Sequence, residues 1–249
     1  MVQEINPDAY LVEHYSTLPN LKSDFRNYNL FNLLAQLVKG RKVIDIGCGA
    51  AHLLSILKMA GKEVVGIEPS EGMRSMAVKI NPGVAILAGM AEEVDALIKD
   101  KVDSVLMIDV LEHIEKDVEQ VQKVFSVLKE EGEFILVVPA FPLLYGERDR
   151  KMGHYRRYTK KSLKKILTEN GFNIQYLRYW NALGFLPYLI SEKLLRRPLE
   201  SKLRQGAKSG TFSSLFQRIL NFWFKYFENN FDFGFGLSII CVARKATRI

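Results

Sequence analysis

Short apolar runs alternate with amphipathic segments along most of the chain. The apolar runs are rich in β-branched residues and bounded by turn residues, as is typical of strands, and they cover Lys42–Ile46, Glu63–Ile67, Val84–Ala88, Ser104–Ile108, Glu133–Val138 and Phe172–Tyr179. The remaining segments repeat apolar residues every three or four positions, which predicts helices at Asp24–Val38, Ala51–Ala60, Gly72–Ile80, Ala91–Ile98, Lys116–Lys129 and Thr159–Asn170. Strands that alternate with helices predict right-handed βαβ units and a parallel sheet.

The alternation ends after Tyr179. Residues 181–231 are rich in Phe, Leu, Tyr, Arg and Lys, and we interpret them as helices inserted before a last strand at Phe235–Ala243. One of these helices is apolar except for a narrow polar stripe, which consists of Ser214, Arg218, Asn221, Lys225 and Glu228. A wide apolar surface needs an apolar neighbour. This helix therefore either packs against its own domain or forms a lid or a membrane-interface helix.

We predict a single domain with four parts. An N-terminal helical cap covers residues 1–40, the core covers residues 41–180, the helical insertion covers residues 181–234, and the last strand covers residues 235–246. A chain of 249 residues with 48% hydrophobic and 25% charged residues is neither disordered nor fibrous.

The cysteine content and the N-terminal residues indicate the cellular compartment in which the protein is expected. Two cysteines do not make a disulfide framework, which indicates a reducing environment. The first residues lack the pattern of a signal peptide, and no uncharged apolar stretch reaches the length of about 18 residues that is expected of a spanning helix. We expect a soluble, cytoplasmic protein, with peripheral membrane contact through residues 181–231 as an open alternative.

The net charge of +7 conceals an asymmetry between the two parts of the chain. Residues 1–140 carry 14 Lys and Arg against 21 Asp and Glu, whereas residues 141–249 carry 21 against 7. A basic second part favours an anionic partner such as nucleic acid, phospholipid headgroups or a pyrophosphate. A merely solubilising basic surface is the alternative.

A glycine-rich turn follows the first strand, where Asp45-Ile46-Gly47-Cys48-Gly49 leads into a helix. Glycines let a ligand approach the main chain, and the N-terminus of the helix faces the same crevice. The third glycine of the dinucleotide fingerprint is replaced by His52, which counts against NAD. Glu68 ends the second strand about 20 residues later, at a spacing that suits hydrogen bonds to a ribose cis-diol.

Four motifs together resemble the class I S-adenosylmethionine-dependent methyltransferases. They are Ile44-Asp45-Ile46-Gly47-Cys48-Gly49, Gly66-Ile67-Glu68-Pro69-Ser70, Asp109-Val110-Leu111-Glu112-His113-Ile114 and Leu128-Lys129-Glu130-Glu131-Gly132-Glu133-Phe134. The resemblance covers roughly residues 24–180 and the last strand. It implies an α/β fold with a Rossmann-like seven-stranded sheet, mostly parallel with an antiparallel last strand and with helices on both faces.

The resemblance also implies the positions that bind S-adenosylmethionine and its product S-adenosylhomocysteine. In this sequence they are Asp45, Gly47, Cys48, Gly49, Glu68, Pro69, Met73, Gly89, Met90, Ala91, Asp109 and Val110. The glycine loop would wrap the methionine part, with Asp45 on its ammonium group, and Glu68 would bind the ribose. Asp109 and Val110 would flank the transferring methyl group.

The chain departs from the family pattern at two positions. Many relatives have an acid where Met90 stands, and Glu92 is the candidate to replace it. Relatives in one branch have an arginine near Tyr28, for which Arg26 is the candidate here. That branch is associated with cell-envelope and glycosyltransferase gene neighbourhoods, and Gly153-His154-Tyr155-Arg156-Arg157-Tyr158-Thr159 resembles its pattern.

Two histidines are candidate catalytic bases. His113 follows the fourth strand at the edge where open α/β sheets bind ligands, and an imidazole with an ordinary pKa near 6.5 accepts a proton at neutral pH. His154 lies in the basic loop Gly146–Tyr158. We expect this loop to close over the acceptor, with Arg156, Arg157 and Tyr158 binding an anionic group. A structural histidine and an exposed basic loop are the alternatives.

The leading interpretation is a methyltransferase for a small or lipid-linked anionic acceptor, with transfer to oxygen. RNA is a less favoured substrate, because no Asn- or Asp-Pro-Pro-Tyr motif follows the fourth strand, where Asp109-Val110-Leu111-Glu112 stands. A non-catalytic cofactor-binding protein and a nicotinamide dehydrogenase are further alternatives. We predict no metal site.

Overall fold

One seven-stranded sheet organises the chain. The computed structural model describes residues 21, 24–194 and 218–247. The strands are β1 (Lys42–Ile46), β2 (Glu63–Glu68), β3 (Ala85–Ala88), β4 (Val102–Ile108), β5 (Leu128–Pro139), β6 (Phe172–Trp180) and β7 (Ser238–Lys245). Their order is β3-β2-β1-β4-β5-β7-β6. Strands β1 to β5 pair in parallel, while β7 runs antiparallel to both β5 and β6. The prediction of a methyltransferase-type sheet with an antiparallel last strand is confirmed.

Helices of the described residues cover both faces of this sheet. They are α1 (Phe25–Leu37), α2 (His52–Met59), α3 (Glu71–Ile80), α4 (Val94–Leu97), α5 (Asp117–Val127), α6 (Glu147–Lys151), α7 (Lys160–Glu169) and α8 (Ala182–Tyr188). Short 3₁₀ turns lie at Ala91–Glu93, Leu111–His113 and Pro142–Leu144, and π-helical turns lie at Leu189–Leu194 and Phe224–Glu228. None of the helices in the described ranges combines the length and hydropathy needed to cross a bilayer.

The core forms two layers because successive strand residues point to opposite faces of the sheet. Ile44 and Val105 contribute to the layer under α5 and α7, whereas the neighbouring Val43 and Leu106 contribute to the layer under α1 and α2. Strands covered on both faces read as continuous apolar runs rather than as an alternating pattern. The continuous apolar runs therefore predict the positions of these strands well.

The structure corrects several predicted boundaries. Strand β5 begins at Leu128 rather than at Glu133, because its first residues pair with Val102 across a register shift. Strand β7 begins at Ser238 rather than at Phe235, since its ladder with β5 starts there. The loop predicted at Gly146–Tyr158 contains helix α6, whose first turn is closed by the backbone N–H of Gly146 donating to Asp149.

The polar stripe of the inserted helix lies partly against the rest of the fold. Ser214 lies outside the described residues, and residues 218–228 are helical. Glu228 is only 1% exposed and accepts hydrogen bonds from the backbone N–H of Ala182 at 2.9 Å and from the indole N–H of Trp223 at 3.0 Å. Asn221 accepts a hydrogen bond from Asn29 of α1 at 2.7 Å. The two polar residues therefore anchor the helix to the domain.

We expect Glu228→Ala to destabilise the protein, because it leaves buried donors on Ala182 and Trp223 without an acceptor. A loss of about 1–3 kcal/mol in the free energy of unfolding is expected. Since about 1 kcal/mol shifts the Tm of a chain this size by about 2–4 °C, calorimetry resolves the effect. The exposed Lys225→Ala is the matched control, and equal Tm values for the two variants would contradict the anchoring role.

Candidate active site

The candidate site lies at the carboxyl ends of β1 and β4, which are neighbours at the centre of the sheet. The strand order proceeds from β1 to β2 on one side and from β4 to β5 on the other. In open α/β sheets, such a switch in direction leaves a crevice where ligands bind. The structure places the loop after β1 and the turn after β4 side by side at this crevice.

The glycine loop after β1 packs closely against Val110. Gly47 has φ +72°, and a Cβ at this position would stand 2.4 Å from a methyl group of Val110. Gly49 has φ +52°, and Ala51, just before α2, is also left-handed. These backbone angles and the close approach require glycine at position 47. The loop thus keeps its main chain open toward the crevice.

Glu68 connects the glycine loop to the end of β2 through hydrogen bonds. Its carboxylate accepts from the backbone N–H of Gly49 at 2.8 Å and from that of Ser70 at 3.0 Å. Each carboxylate oxygen has a second lone pair, so Glu68 retains the capacity to accept from a ribose hydroxyl. The side chain is buried and fixed in place, as a specific binding group requires.

Asp45 is a buried acid that forms no ion pair with the described residues. It is 4% exposed, and its Oδ1 has no hydrogen-bond partner among the described residues. Burial and the nearby Glu68 raise the pKa of Asp45 to about 8. A buried carboxylate is costly unless it is paired, so the position suits a cationic ligand group such as an ammonium.

Further predicted cofactor residues surround the loop. Met73 is buried on α3, with its methyl group 3.4 Å from a Cβ built on Gly49. The carbonyl of Pro69 accepts a hydrogen bond from Arg74. Cys48 packs its Sγ against Gly66, where a Cβ would be only 2.4 Å away, and burial raises the pKa of its thiol. Cys48 therefore offers its backbone, rather than its sulfur, to the crevice.

The segment after β3 carries two neighbouring acids that make different contacts. Gly89 leads into the turn Ala91–Glu93, and the backbone N–H of Met90 donates to Glu93 at 2.7 Å. Glu92, the predicted replacement for the family's acid, lines a cavity of about 300 Å³ with His113 and Tyr155. Met90 is half exposed, and Ala91 accepts at its carbonyl from Gln120. Roles of Gly89, Met90 and Ala91 toward an adenine stay predictions.

Arg26 reaches the carboxyl end of β4 from α1. Its guanidinium lies 2.9 Å from the carboxylate of Asp109 and 3.3 Å from the hydroxyl of Ser238 at the start of β7. Arg26 is buried and also lies over the ring of Trp180. Asp109 has a left-handed backbone with φ +54°. The ion pair fixes this strained residue where the methyl group is predicted to lie.

A second polar cluster follows Asp109. His113 and His154 have ring centroids 4.6 Å apart in an edge-to-face arrangement. His154 Nδ1 lies 3.0 Å from Asp149, which also accepts from Arg157 at 2.8 Å. Although burial opposes ionisation of Asp149, these hydrogen bonds lower its pKa to about 2. Burial and the neighbouring His154 lower the pKa of His113 to about 4, so its imidazole is neutral at pH 7.

Three residues predicted to bind the acceptor occupy different environments. Arg157 is buried and donates to Asp149, to the carbonyl of Ala140 and to the hydroxyl of Tyr188. Tyr158 is buried and donates to Asp117 at 2.9 Å. Arg156 is partly exposed and pairs with the same Asp117 at 2.8 Å. The structure therefore places Arg157 and Tyr158 inside the fold rather than on an open basic loop.

The sequence analysis assigned no role to Glu112 or Asp149, although both belong to the polar cluster. Glu112 is 1% exposed, and burial together with Asp109 raises its pKa well above the ordinary value. Its position directly before His113 was a usable signal, since an acid next to a histidine at a strand end is unusual for a buried turn. Asp149 joins Glu112 in this cluster only through the packing of two separate segments, which no pattern in the linear sequence predicts.

Comparison with known proteins identifies the family. The model of a family described as "Methyltransferase domain" matches residues 18–177, which is well over half of the chain. The chain belongs to this methyltransferase family. The methyltransferase uses S-adenosylmethionine, which supplies a methyl group on a positively charged sulfur, and the unpaired Asp45 beside the glycine loop fits its ammonium group.

Individual relatives agree with this assignment. A probable S-adenosylmethionine-dependent methyltransferase from Mycolicibacterium smegmatis is 26% identical over 175 residues, which cover 68% of each chain. A ubiquinone biosynthesis O-methyltransferase from Bradyrhizobium diazoefficiens is 34% identical over 94 residues, which cover 36% of this chain and 34% of that relative. A SAM-dependent methyltransferase from Archaeoglobus fulgidus shares the fold, with a TM-score of 0.56 and 21% identity over 90% of this chain and 93% of that one.

The protein residues around the cofactor position have separable tasks. Asp45 would hold the ammonium group, Glu68 would orient the ribose, and the glycine loop would approach the cofactor with its main chain. Arg26 pairs with Asp109 and holds it in place beside the crevice. Methyl transfer from an activated donor depends chiefly on such positioning.

We expect Asp45→Asn to weaken the binding of S-adenosylhomocysteine by about 10–100-fold, the cost of losing a charge-assisted hydrogen bond. The same variant is expected to stabilise the cofactor-free protein. Because the pKa of Asp45 is raised to about 8, its contribution to stability is full below the unfolded pKa and is lost as the pH rises through 8.

Titration calorimetry with S-adenosylhomocysteine and thermal denaturation at pH 5, 7 and 8.5 measure the two effects. The Tm difference between Asp45→Asn and the parent protein is expected to grow with pH. The exposed Asp100→Asn is the matched control and is expected to change neither quantity. Unaltered binding by Asp45→Asn would show that Asp45 does not hold the cofactor.

Proposed function

We propose that this methyltransferase transfers the methyl group to a hydroxyl oxygen of an amphiphilic acceptor that carries an anionic group, such as a lipid-linked sugar or an isoprenoid precursor. The observation that carries the proposal is an aromatic cluster at the catalytic edge of the sheet, together with exposed apolar side chains on the segments that flank it. A water-soluble acceptor would have no use for such a surface.

The aromatic cluster joins the ends of three strands. Phe141 follows β5 and stacks on Tyr179 near the end of β6, with centroids 4.7 Å apart. Phe185 of α8 packs against Phe141 at 5.4 Å and against Phe235, just before β7, at 5.4 Å. An apolar wall of this kind suits a prenyl or acyl chain or an aromatic ring.

Apolar side chains are exposed on both segments that flank the wall. In the described parts of the insertion they are Leu183, Leu186, Ile190, Ile219, Phe222, Tyr226, Phe227, Phe231 and Phe235. Single exposed apolar residues are ordinary, but a concentration of them indicates an interaction surface. Since two anchoring polar residues of the 218–228 helix face the domain, the outward side of this helix is apolar.

Cations accompany the apolar surface. Lys160 lies over the ring of Tyr179 at 4.4 Å and pairs with Asp232. Lys225 lies over Tyr226 at 5.2 Å, and Arg218 begins the described part of the same helix. Basic residues beside exposed aromatic rings are typical of surfaces that meet anionic lipid headgroups. The strongly basic second part of the chain agrees with this assignment.

The polar cluster supports transfer to oxygen. A hydroxyl acceptor must lose a proton as its oxygen forms the new bond to the methyl carbon, and histidines are the usual groups that assist. His113 and His154 lie together close to Asp109, with His154 oriented by Asp149. The name of the Bradyrhizobium relative, a ubiquinone biosynthesis O-methyltransferase, is compatible with both an oxygen acceptor and an isoprenoid one.

The experiment that tests the proposal incubates the protein with methyl-labelled S-adenosylmethionine and a whole-cell extract of its source. The extract is then separated into lipid, nucleic acid, protein and water-soluble fractions. We expect the label in the lipid fraction, in a form that is stable to nuclease. Label in RNA or only in water-soluble molecules would contradict the amphiphile proposal, and no transfer to any fraction would contradict catalysis altogether.

A double variant tests the apolar surface separately. We expect Phe222→Ser with Tyr226→Ser to weaken binding to vesicles of phosphatidylglycerol and phosphatidylcholine by about tenfold or more, since both rings are about half exposed and lose apolar contact area. Vesicle sedimentation measures this. Binding of S-adenosylhomocysteine is expected to stay unchanged. The control is Val78→Ser, which changes an exposed apolar residue on α3. Equal vesicle binding by the double variant and by Val78→Ser would contradict the assignment of this surface.

A further inference from the structure

Three side chains of metal-binding type converge beside the catalytic edge. Glu112, His113 and His154 each offer one ligand atom, and these atoms all lie within 4.8 Å of one another. Bonds of about 2.1 Å in a tetrahedral site separate ligand atoms by about 3.4 Å. Side-chain rotations that move each ligand atom by about 1 Å would therefore bring the three atoms around one ion.

Glu112 gives a second, independent indication of a ligand. Its side chain is 1% exposed, and Oε2 has no hydrogen-bond partner among the described residues. The two arginines nearest to it are already engaged, Arg26 with Asp109 and Arg157 with Asp149. A buried carboxylate oxygen that adjoins two imidazoles and has no cation of its own is an ordinary feature of metal centres and a costly one elsewhere.

His154 carries the supporting contact that metal-bound histidines usually have. Its Nδ1 lies 3.0 Å from Asp149, an acceptor that favours the tautomer with a proton on Nδ1 and a lone pair on Nε2. Asp149 in turn accepts from Arg157 and from the backbone N–H of Gly146. This chain of contacts favours that tautomer and sets the direction of the ring.

The backbone holds the two segments of the cluster together. The N–H of Tyr155 donates to the carbonyl of Glu112 at 2.8 Å, and the hydroxyl of Tyr145 donates to the carbonyl of His154 at 2.8 Å. Gly153 has φ +74°, and a Cβ there would stand 3.9 Å from His113 Nδ1. The arrangement is thus built into the packing of the turn after β4 against the segment after α6.

We propose that Glu112, His113 and His154 bind a divalent transition-metal ion, with Zn²⁺ as the first candidate. Two imidazoles and one carboxylate suit such ions, and three protein ligands leave a position open for a further oxygen. No metal site is predicted from the sequence, in which His154 lies far along the chain from the Glu112-His113 pair.

The consequence for catalysis rests on the proposed function. A hydroxyl oxygen in the open position would lose its proton to solvent near neutral pH, because a divalent ion lowers the pKa of a bound oxygen acid. The oxygen would then form its bond to the methyl carbon as the carbon–sulfur bond breaks, which leaves a neutral thioether. In this scheme both histidines would assist loss of the hydroxyl proton as ligands of the ion rather than as free bases.

The test begins with the full-length protein stripped by a chelator and titrated with Zn²⁺ and with Co²⁺, followed by calorimetry and by the visible absorption of bound Co²⁺. We expect one ion per chain and a spectrum of low-symmetry coordination. Glu112→Gln and His154→Ala are each expected to weaken binding by at least about 100-fold, and Asp149→Asn by about 10–100-fold as a supporting residue. The exposed Glu119→Gln is the matched control.

Thermal shift with S-adenosylhomocysteine verifies in each variant that the cofactor domain is folded. Absence of binding in the parent protein, or binding that Glu112→Gln and His154→Ala leave unchanged, would overturn the metal site. No acceptor is present in these measurements, so they decide the metal site whatever the labelled fractions show. Conversely, label outside the lipid fraction would overturn the proposed acceptor and leave a measured metal affinity intact.

Discussion

The position of β7 between β5 and β6 is the constraint on which the rest of the structure depends. Because β7 runs antiparallel to both neighbours, its first residue lies at the same edge as the last residues of the parallel strands. The segment between β6 and β7 must therefore leave from and return to the catalytic edge. This places Ser238 beside Arg26 and Phe235 beside Phe185, so the sheet topology itself brings the helical insertion to the site.

Four acids dominate the electrostatics at this edge. Asp109 pairs with Arg26, which lies 83 residues earlier in the chain, whereas Asp149 pairs with Arg157, which lies only 8 residues later. Asp45 and Glu112 are buried, and each has a carboxylate oxygen without a hydrogen-bond partner among the described residues. A folded chain gains nothing from such oxygens, since buried acids that lack a partner destabilise it. Under our proposals, an ammonium group would pair with Asp45 and a metal ion with Glu112.

The features that the sequence predicts well are those encoded locally. Buried strands, the glycine loop and Glu68 at the end of β2 depend on residues close together in the chain, and the structure has them where the patterns place them. The cluster of His113 with His154 and Glu112 depends on the packing of two separate segments, which no periodicity encodes. The orientation of the 218–228 helix also depends on packing between distant segments. Its polar stripe includes Glu228, which accepts from the backbone N–H of Ala182, and Asn221, which accepts from Asn29 of α1, so part of the stripe is buried.

The contact between Glu228 and Ala182 also bears on how such a protein can diversify. It joins the two described ends of the insertion at positions 46 residues apart in sequence. The entropy of closing a loop grows only with the logarithm of its length, so doubling the loop costs about 0.6 kcal/mol. With both ends held at the sheet, the number and identity of the residues between them can change while the cofactor crevice stays as it is. Under the proposed function, acceptor preference can therefore change through the insertion without altering the residues of the cofactor crevice.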